Sequence, residues 1–437
     1  MNPKASVVAA FCALFTIRAF AQYSYTEIAR AGSSATFAEI LGSSEGYYVS
    51  LNNSGQVAFH AKKPGTIEGV YRGSGGALKT IVEVGGTNEL AFLSGYPAIN
   101  DSGQIAFWAA TPGLADFVIK RGDGISTTQI VSRVAQGFSS LADGPDVNSV
   151  GTVAFRASPP SGAYLGSGGS LTTLYANGDS YVLDVASDLS LNDAGQAAFI
   201  GRDIGGADGM YRGSGGALAA IASTASGSSF SGFPGGVGSI NSNGVVAFDA
   251  FLSAGGEGIF TSTGVGAPIT IADSSGPYDD FKGSPAISLY GLAFTASLDA
   301  GGTVGIFTGS SPATNKVIQV GDPLFGSTVT FIRNLGRHAL NDSGEIAFVA
   351  GLANGDTVVA RASPWSTVPP VLTIRLTTTN TAVVSWPSPS WGWNLSQNTN
   401  LTTTNWVAPF ESLGDDGTNK FIIVDSSVDS RFFRLQQ

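Results

Sequence analysis

Leu51-Asn-Asn-Ser-Gly-Gln-Val-Ala-Phe59 returns as Ile99-Asn-Asp-Ser-Gly-Gln-Ile-Ala-Phe107, and this repetition decides the fold. Further copies are Val147-Asn-Ser-Val-Gly-Thr-Val-Ala-Phe155, Leu191-Asn-Asp-Ala-Gly-Gln-Ala-Ala-Phe199, Ile240-Asn-Ser-Asn-Gly-Val-Val-Ala-Phe248 and Leu340-Asn-Asp-Ser-Gly-Glu-Ile-Ala-Phe348. A degenerate copy, Ile287-Ser-Leu-Tyr-Gly-Leu-Ala-Phe294, has lost the Asn and one residue. The seven Phe positions are spaced by 48, 48, 44, 49, 46 and 54 residues. That period suits a four-stranded propeller blade and is far longer than a leucine-rich coil.

Each repeat carries two further apolar beats, such as Val70-Tyr71 and Ile81-Val82, with Gly-rich turns such as Arg72-Gly-Ser-Gly-Gly76 between them. These read as hairpins, and a weaker strand such as Tyr96-Pro-Ala-Ile99 precedes each Asn. Val57-Ala58-Phe59 is apolar on consecutive positions, whereas a strand with one wet face alternates. Burial on both faces is what a sheet between two other sheets requires, and a small Ala lets the sheets approach closely.

The third beat occurs six times inside the array, because after Val358-Val359-Ala360-Arg361 the chain runs into Pro364-Trp365. At the other end, Tyr25-Thr-Glu-Ile-Ala-Arg-Ala-Gly32 resembles an orphan third strand. Residues 25–32 are therefore expected to pair beside 357–362, tying the last sheet to the first and removing exposed edges. The expected fold is all-β: a seven-bladed β-propeller closed by an N-terminal strand, plus a small C-terminal β-sandwich-like domain.

The phrase Asn-x-x-Gly-x-Val-Ala-Phe resembles the signature of a family of exported bacterial tandem-repeat proteins. Six of the seven copies match it well, and the resemblance covers roughly residues 25–362. It implies a β-propeller and export, and little chemistry.

Composition fits this reading. Charged residues are 12% of the chain, about half of the usual share, and Gly reaches 59 of 437 residues, which serves turns. Lys4, the apolar run Ala5–Ile17 and Ala19-Phe20-Ala21 read as a signal peptide over 1–21, cut before Gln22, with secretion to the periplasm or exterior. The single cysteine, Cys12, lies inside that segment, so no disulfide is expected. Removing Lys4 and Arg18 from the 22 basic residues leaves 20 against 32 acidic, which argues against nucleic acid and anionic membranes. No later stretch reaches a membrane span of roughly 18–20 apolar residues.

The expected domains are the propeller at 22–363, a stiff Pro-rich linker at 364–370 and a small tail at 371–437. Ala382-Val-Val-Ser-Trp386 and Phe432-Phe-Arg-Leu435 give the tail a loose resemblance to fibronectin-like domains of exported bacterial proteins.

Asn52, Asn100, Asn148, Asn192, Asn241 and Asn341, with Gly55, Gly103, Gly151, Gly195, Gly244 and Gly344, read as turn residues. The Asn side chain bonds nearby backbone and the Gly supplies a positive φ. Asp179 and Asp322 follow a Gly in loops after the third beat and are the candidate ligand contacts of the ring. Among the crowded tail tryptophans, Trp391 is the candidate platform for a sugar ring. Arg121-Gly-Asp123 occupies the same hairpin register as Arg72-Gly-Ser and is read as a turn. Asp279-Asp280 reads as a solvated loop.

His60 and His338 are the two histidines, which leaves no zinc or Cys–His pattern. No metal or cofactor is expected. The residues point to a monomeric, non-catalytic binding or surface-interaction protein whose partner is a glycan or a cell-surface protein. The alternative is a propeller enzyme, a glycoside hydrolase or lyase acting on polysaccharide with carboxylates at the central face. Two or more carboxylates converging within about 10 Å at one ring mouth, beside exposed aromatics, would sink the non-catalytic reading.

Overall fold

The computed structural model describes residues 23–42, 49–65, 67–85, 90–176, 181–183, 188–234, 237–365, 370–387, 390, 393–415, 419–425 and 431–436. The expected signal peptide lies outside these. The chain is all-β, with two single-turn α-helices among the described residues. None of the described helices is long and apolar enough to cross a membrane.

Among the described residues, 23–364 form seven antiparallel sheets of four or five strands. In the second sheet, Phe92–Ile99, Ile105–Ala110, Phe117–Gly122 and Thr127–Ser132 follow one another as a meander. The same order is built around Val57–Lys62, Val153–Ser158, Ala197–Asp203, Val246–Leu252, Leu292–Leu298 and Ile346–Leu352, the strands that carry the repeated Ala-Phe. The seventh sheet is finished from the far end of the chain. Strand Tyr23–Ala31 pairs antiparallel with Thr357–Pro364, placing Tyr25 opposite Ala362 and Ala31 opposite Thr357.

The side chains explain how the sheets stack. Ala58 of the first sheet lies in one core cluster with Phe107 of the second, and Ala106 in the next cluster with Phe155 of the third. The series continues with Ala154 and Phe199, Ala198 and Phe248, Ala247 and Phe294, and Ala293 and Phe348. It ends with Ala347 of the seventh sheet beside Phe59 of the first. A methyl from one sheet faces a ring from the next at every interface, so the inter-sheet space is filled by one small and one large side chain. Burying a Phe at each interface stabilises by about 1.5–3 kcal/mol.

The C-terminal region has its own core of Ala382, Val384, Trp386, Leu395, Ile422 and Val424. Strands Thr373–Leu376, Thr381–Pro387, Asn419–Asp425 and Gly414–Asp415 make one sheet, and Asn394–Asn398 pairs with Phe432–Gln436. Trp386 is buried to 2% exposure, so it fills this core.

Candidate functional site: the central mouth

The repeated Asn has two jobs. Within its own turn, Asn52 Oδ1 accepts from the N–H of Ser54 at 3.2 Å and of Gln56 at 2.8 Å. Its Nδ2 donates outside the repeat, to the Asn100 carbonyl at 3.0 Å. Asn100 donates in turn to Asn148 (2.9 Å), Asn192 to Asn241 (3.0 Å), Asn241 to Ser288 (3.3 Å), and Asn341 back to Asn52 (3.1 Å). Turn residues seen alone are thus inter-repeat fasteners.

The glycine three residues later has φ near +71° at Gly55, a conformation that costs an L side chain. Its carbonyl receives a guanidinium from the preceding repeat: Arg72 donates to Gly103, Arg121 to Gly151, Arg212 to Gly244 and Arg361 to Gly55. A Cβ at Gly55 would sit 2.2 Å from Arg361 Nη1. Arg121 of the Arg-Gly-Asp tripeptide is therefore engaged, and Asp123 caps its own turn by accepting from Ile125 and Ser126 N–H.

These turns surround a polar pocket of about 100 Å³ lined by all seven repeats. The residue after each Asn forms its rim. Asp101 accepts from the backbone N–H of Asn53 at 2.8 Å, Asp193 from Ser149 at 2.7 Å and Asp342 from Leu289 at 2.7 Å. Asn53 Nδ2 lies 3.1 Å from Asp101 Oδ2 and 3.1 Å from Asp342 Oδ2, so two carboxylates converge on one amide. Tyr290, 56% exposed, packs against Gly344 in the neighbouring turn.

The floor comes from repeat-specific departures in the residues before each Asn. Two residues before the Asn, Ser50 and Ser190 accept the N–H of Ile99 (2.9 Å) and Ile240 (3.2 Å) in the following repeat. Repeat three has Asp146 there, and it takes the same bond from Leu191 N–H at 2.6 Å. The carboxylate also accepts from His338 Nε2 at 2.6 Å, and His338 lines the pocket with its side chain 23% exposed. A carboxylate can only accept, so Nε2 carries the hydrogen that reaches Asp146, and the second ring nitrogen, Nδ1, has no partner among the described residues.

Four residues before the Asn, Arg337 of repeat seven runs into the interior. Its Nη1 donates to Asp188 of repeat four at 2.9 Å, and its Nη2 to the Gly144 and Pro145 carbonyls of repeat three at 3.0 and 3.2 Å. The guanidinium also stacks 4.8 Å from the Tyr96 ring centroid of repeat two. Room for the Asp188 carboxylate comes from Gly144, where a Cβ would collide with it. Burial pushes the Asp188 carboxyl up despite Arg337. Burial acts the same way on Asp146, but the bonded His338 and Arg337 outweigh it and hold that carboxyl below its ordinary range.

Of the residues singled out from sequence, Asp322 is spent locally: its carboxylate accepts from Gln319 N–H at 2.9 Å and Lys316 Nζ at 3.0 Å. Asp179 and Trp391 lie outside the described residues. Asp280, read as a loop residue, sits in strand Tyr278–Ile287, where its neighbours Tyr278 and Phe281 are buried and set the extended register. The reading of two isolated histidines missed both pairings: His60 Nε2 lies 2.7 Å from Glu68 Oε1, and His338 meets Asp146. Aligning the repeats on their Asn would have exposed Asp146 in a Ser column, and Arg337 with Asp188 in the column of Tyr96 and Gly144. No group of three or more His, Cys, Asp and Glu side chains among the described residues is arranged to hold a metal.

Solved structures with some likeness include the β-propeller domain of the Trilobed protease from Pyrococcus furiosus (13% identity, TM-score 0.36, covering 64% of this chain and 97% of that one). Others are the polysaccharide lyase Uly1 (10%, 0.43, 76% and 92%) and a fucose-specific lectin from Aleuria aurantia (10%, 0.36, 68% and 98%). No curated protein matches the chain. The model of a family of unknown function, DUF7453, matches residues 12–274, more than half of the sequence, and the chain belongs to that family.

Proposed function

We propose that the seven sheets are the blades of one β-propeller over residues 22–363, exported by the segment 1–21 and followed by a linker and a fibronectin-like tail at 371–437. The protein works as a monomeric, non-catalytic binding module of the exported tandem-repeat kind, and its ligand enters the central mouth. The supporting observation is the lining itself. Asn53, Asp101, Ser149, Asp193 and Asp342 stand around a floor that carries His338, and no Lys or Arg side chain lines the pocket. The three rim carboxylates can only accept, so the fitting ligand donates hydrogen bonds and is neutral or cationic. An amino sugar or polyol at the end of a surface glycan has that chemistry, whereas a uronate would be repelled by the three carboxylates.

Calorimetric titration of the secreted chain with glucosamine, neutral oligosaccharides and oligouronates tests this. Binding of the first two classes, lost in Asp193→Asn and His338→Gln, supports the reading. Binding of oligouronates alone overturns it.

Asp101 and Asp342 converge on Asn53 beside exposed Tyr290, which is the arrangement that counts against a non-catalytic ring and supports the enzyme as a second reading. Both oxygens of Asp101 accept from Asn53, and both oxygens of Asp342 are engaged by Leu289 N–H and Asn53 Nδ2. Each oxygen keeps a second lone pair, so these bonds orient the two carboxylates and leave both able to accept a proton. Release of reducing ends or unsaturated products from polysaccharide, abolished in Asp342→Asn, would establish catalysis instead.

A further inference from the structure

The tail holds a second concavity, of about 580 Å³, walled by side chains that carry no net charge apart from one neutralised arginine. Asn400 Nδ2, Asn405 and Thr399 supply polar groups to it, while Asn398 and Thr403 are bonded to each other and Asn400 Oδ1 accepts from Thr402. At its edge stands Phe410, 81% exposed. A bare aromatic ring on a soluble surface costs free energy unless something covers it.

This ring is not loose. The Arg431 guanidinium lies 4.7 Å from the Phe410 centroid and 5.2 Å from that of Phe433, so it is sandwiched between the two. Arg431 is itself clamped by Glu411, with Nη1 to Oε1 at 2.5 Å and Nη2 to Oε2 at 2.9 Å, and it also donates to Gln397. With its charge neutralised and its side chain 12% exposed, it acts as a stiff backing that fixes the plane of Phe410. The geometry is a pre-oriented aromatic plate beside a row of uncharged amides and hydroxyls. We propose that this groove binds a neutral polysaccharide chain, one sugar ring stacking its C–H face on Phe410 while its hydroxyls bond the amides of Asn400 and Asn405. The absence of an uncompensated charge excludes acidic glycans as the preferred ligand, and the polar walls do not suit an apolar helix. This site is separate from the ring mouth and does not depend on it.

The test uses the whole secreted chain, pulled down on microcrystalline cellulose, chitin and curdlan and run through gels containing xylan. Retention on at least one of these is expected, about tenfold weaker in Phe410→Ala and preserved in Phe410→Tyr. Asn405→Arg, which fills the groove without touching the Arg431–Glu411 pair, should also abolish it. All three variants should melt with the parent, because Phe410 and Asn405 are exposed. No retention of the parent on any of the four polysaccharides overturns the proposal. So does retention that survives both Phe410→Ala and Asn405→Arg, or that is lost only in the ring variant His338→Gln. Concentration-dependent dimerisation abolished by Phe410→Ala would reassign the plate to self-association and overturn it equally.

Discussion

Arg337 and Asp188 are 149 residues apart in sequence, yet Arg337 Nη1 donates to Asp188 Oδ2 at 2.9 Å with both side chains buried. One belongs to repeat seven and the other to repeat four, so the pair joins non-adjacent sheets through the interior of the array. Removing one partner leaves an uncompensated charge in a dry site. Asp188→Ala and Arg337→Met each leave the other charge unpaired, so each is expected to cost about 3–5 kcal/mol of unfolding free energy, and the double variant less than the sum of the two. Urea unfolding followed by tryptophan fluorescence measures all three. Strictly additive costs in the double variant would show that charge pairing is not what holds this point.

Acid should weaken the floor of the mouth through Asp146. Its carboxyl is held below the ordinary range when folded, so its contribution is complete above the unfolded value near 3.8 and is lost as pH falls through the lower folded value. Melting temperature should therefore drop on acidification below about pH 4, and Asp146→Asn should drop less steeply over that window. An unchanged slope in the variant would remove Asp146 from the account of acid sensitivity.

Asp249 has the opposite sign. Burial, with Glu257 and Asp280 nearby, pushes its carboxyl well up, and its Oδ1 has no partner among the described residues. The equivalent position in repeat one is His60, which faces Glu68 at 2.7 Å. Repeat five has an acid where repeat one has a base. The protonated folded form is favoured, so stability is full below about pH 3.8 and is lost as pH rises through the raised folded value. Asp249→Asn mimics the protonated form. It should gain about 1–3 kcal/mol at pH 8 and nothing at pH 3, read from melting curves at the two pH values.

The inter-repeat amide should be worth more than a turn alone. Asn341→Ala removes the bond to the Asn52 carbonyl and leaves that acceptor buried, for a loss of about 1–3 kcal/mol. Asn341→Asp keeps the turn-capping oxygen, loses the donor to Asn52 and Glu345, and sets a charge beside the Glu345 carboxylate. If the aspartate variant were as stable as the parent at neutral pH, the fastening role of Nδ2 would be wrong.

Much of this architecture was legible because repetition averages out local ambiguity. Seven copies of Ala-Phe announced burial on both faces, and the missing third beat after Val358-Val359 pointed to strand Tyr23–Ala31, which pairs there. The site was less legible, for a physical reason. Asp146 and His338 are 192 residues apart, and a carboxylate–imidazole bond across the array leaves no local pattern. Asn Oδ1 acts within four residues and was readable as a turn, whereas Nδ2 acts 48 residues away and was not. Asp322 illustrates the reverse error, since a Gly-Asp loop looked like a ligand contact while its carboxylate closes its own turn.

Closure of the proposed ring by the N-terminal strand is tested most directly by a cross-link between strand Tyr23–Ala31 and strand Thr357–Pro364. Ser24 lies opposite Ser363 in the antiparallel pair, and the chain beyond Cys12 has no cysteine to interfere. In the Ser24→Cys/Ser363→Cys variant of residues 22–437, oxidation should give a monomer with no free thiol, whose stability against denaturant rises by a few kcal/mol and falls back on reduction. Two free thiols in the folded monomer, or disulfide-linked dimers in its place, would contradict closure by the N-terminal strand.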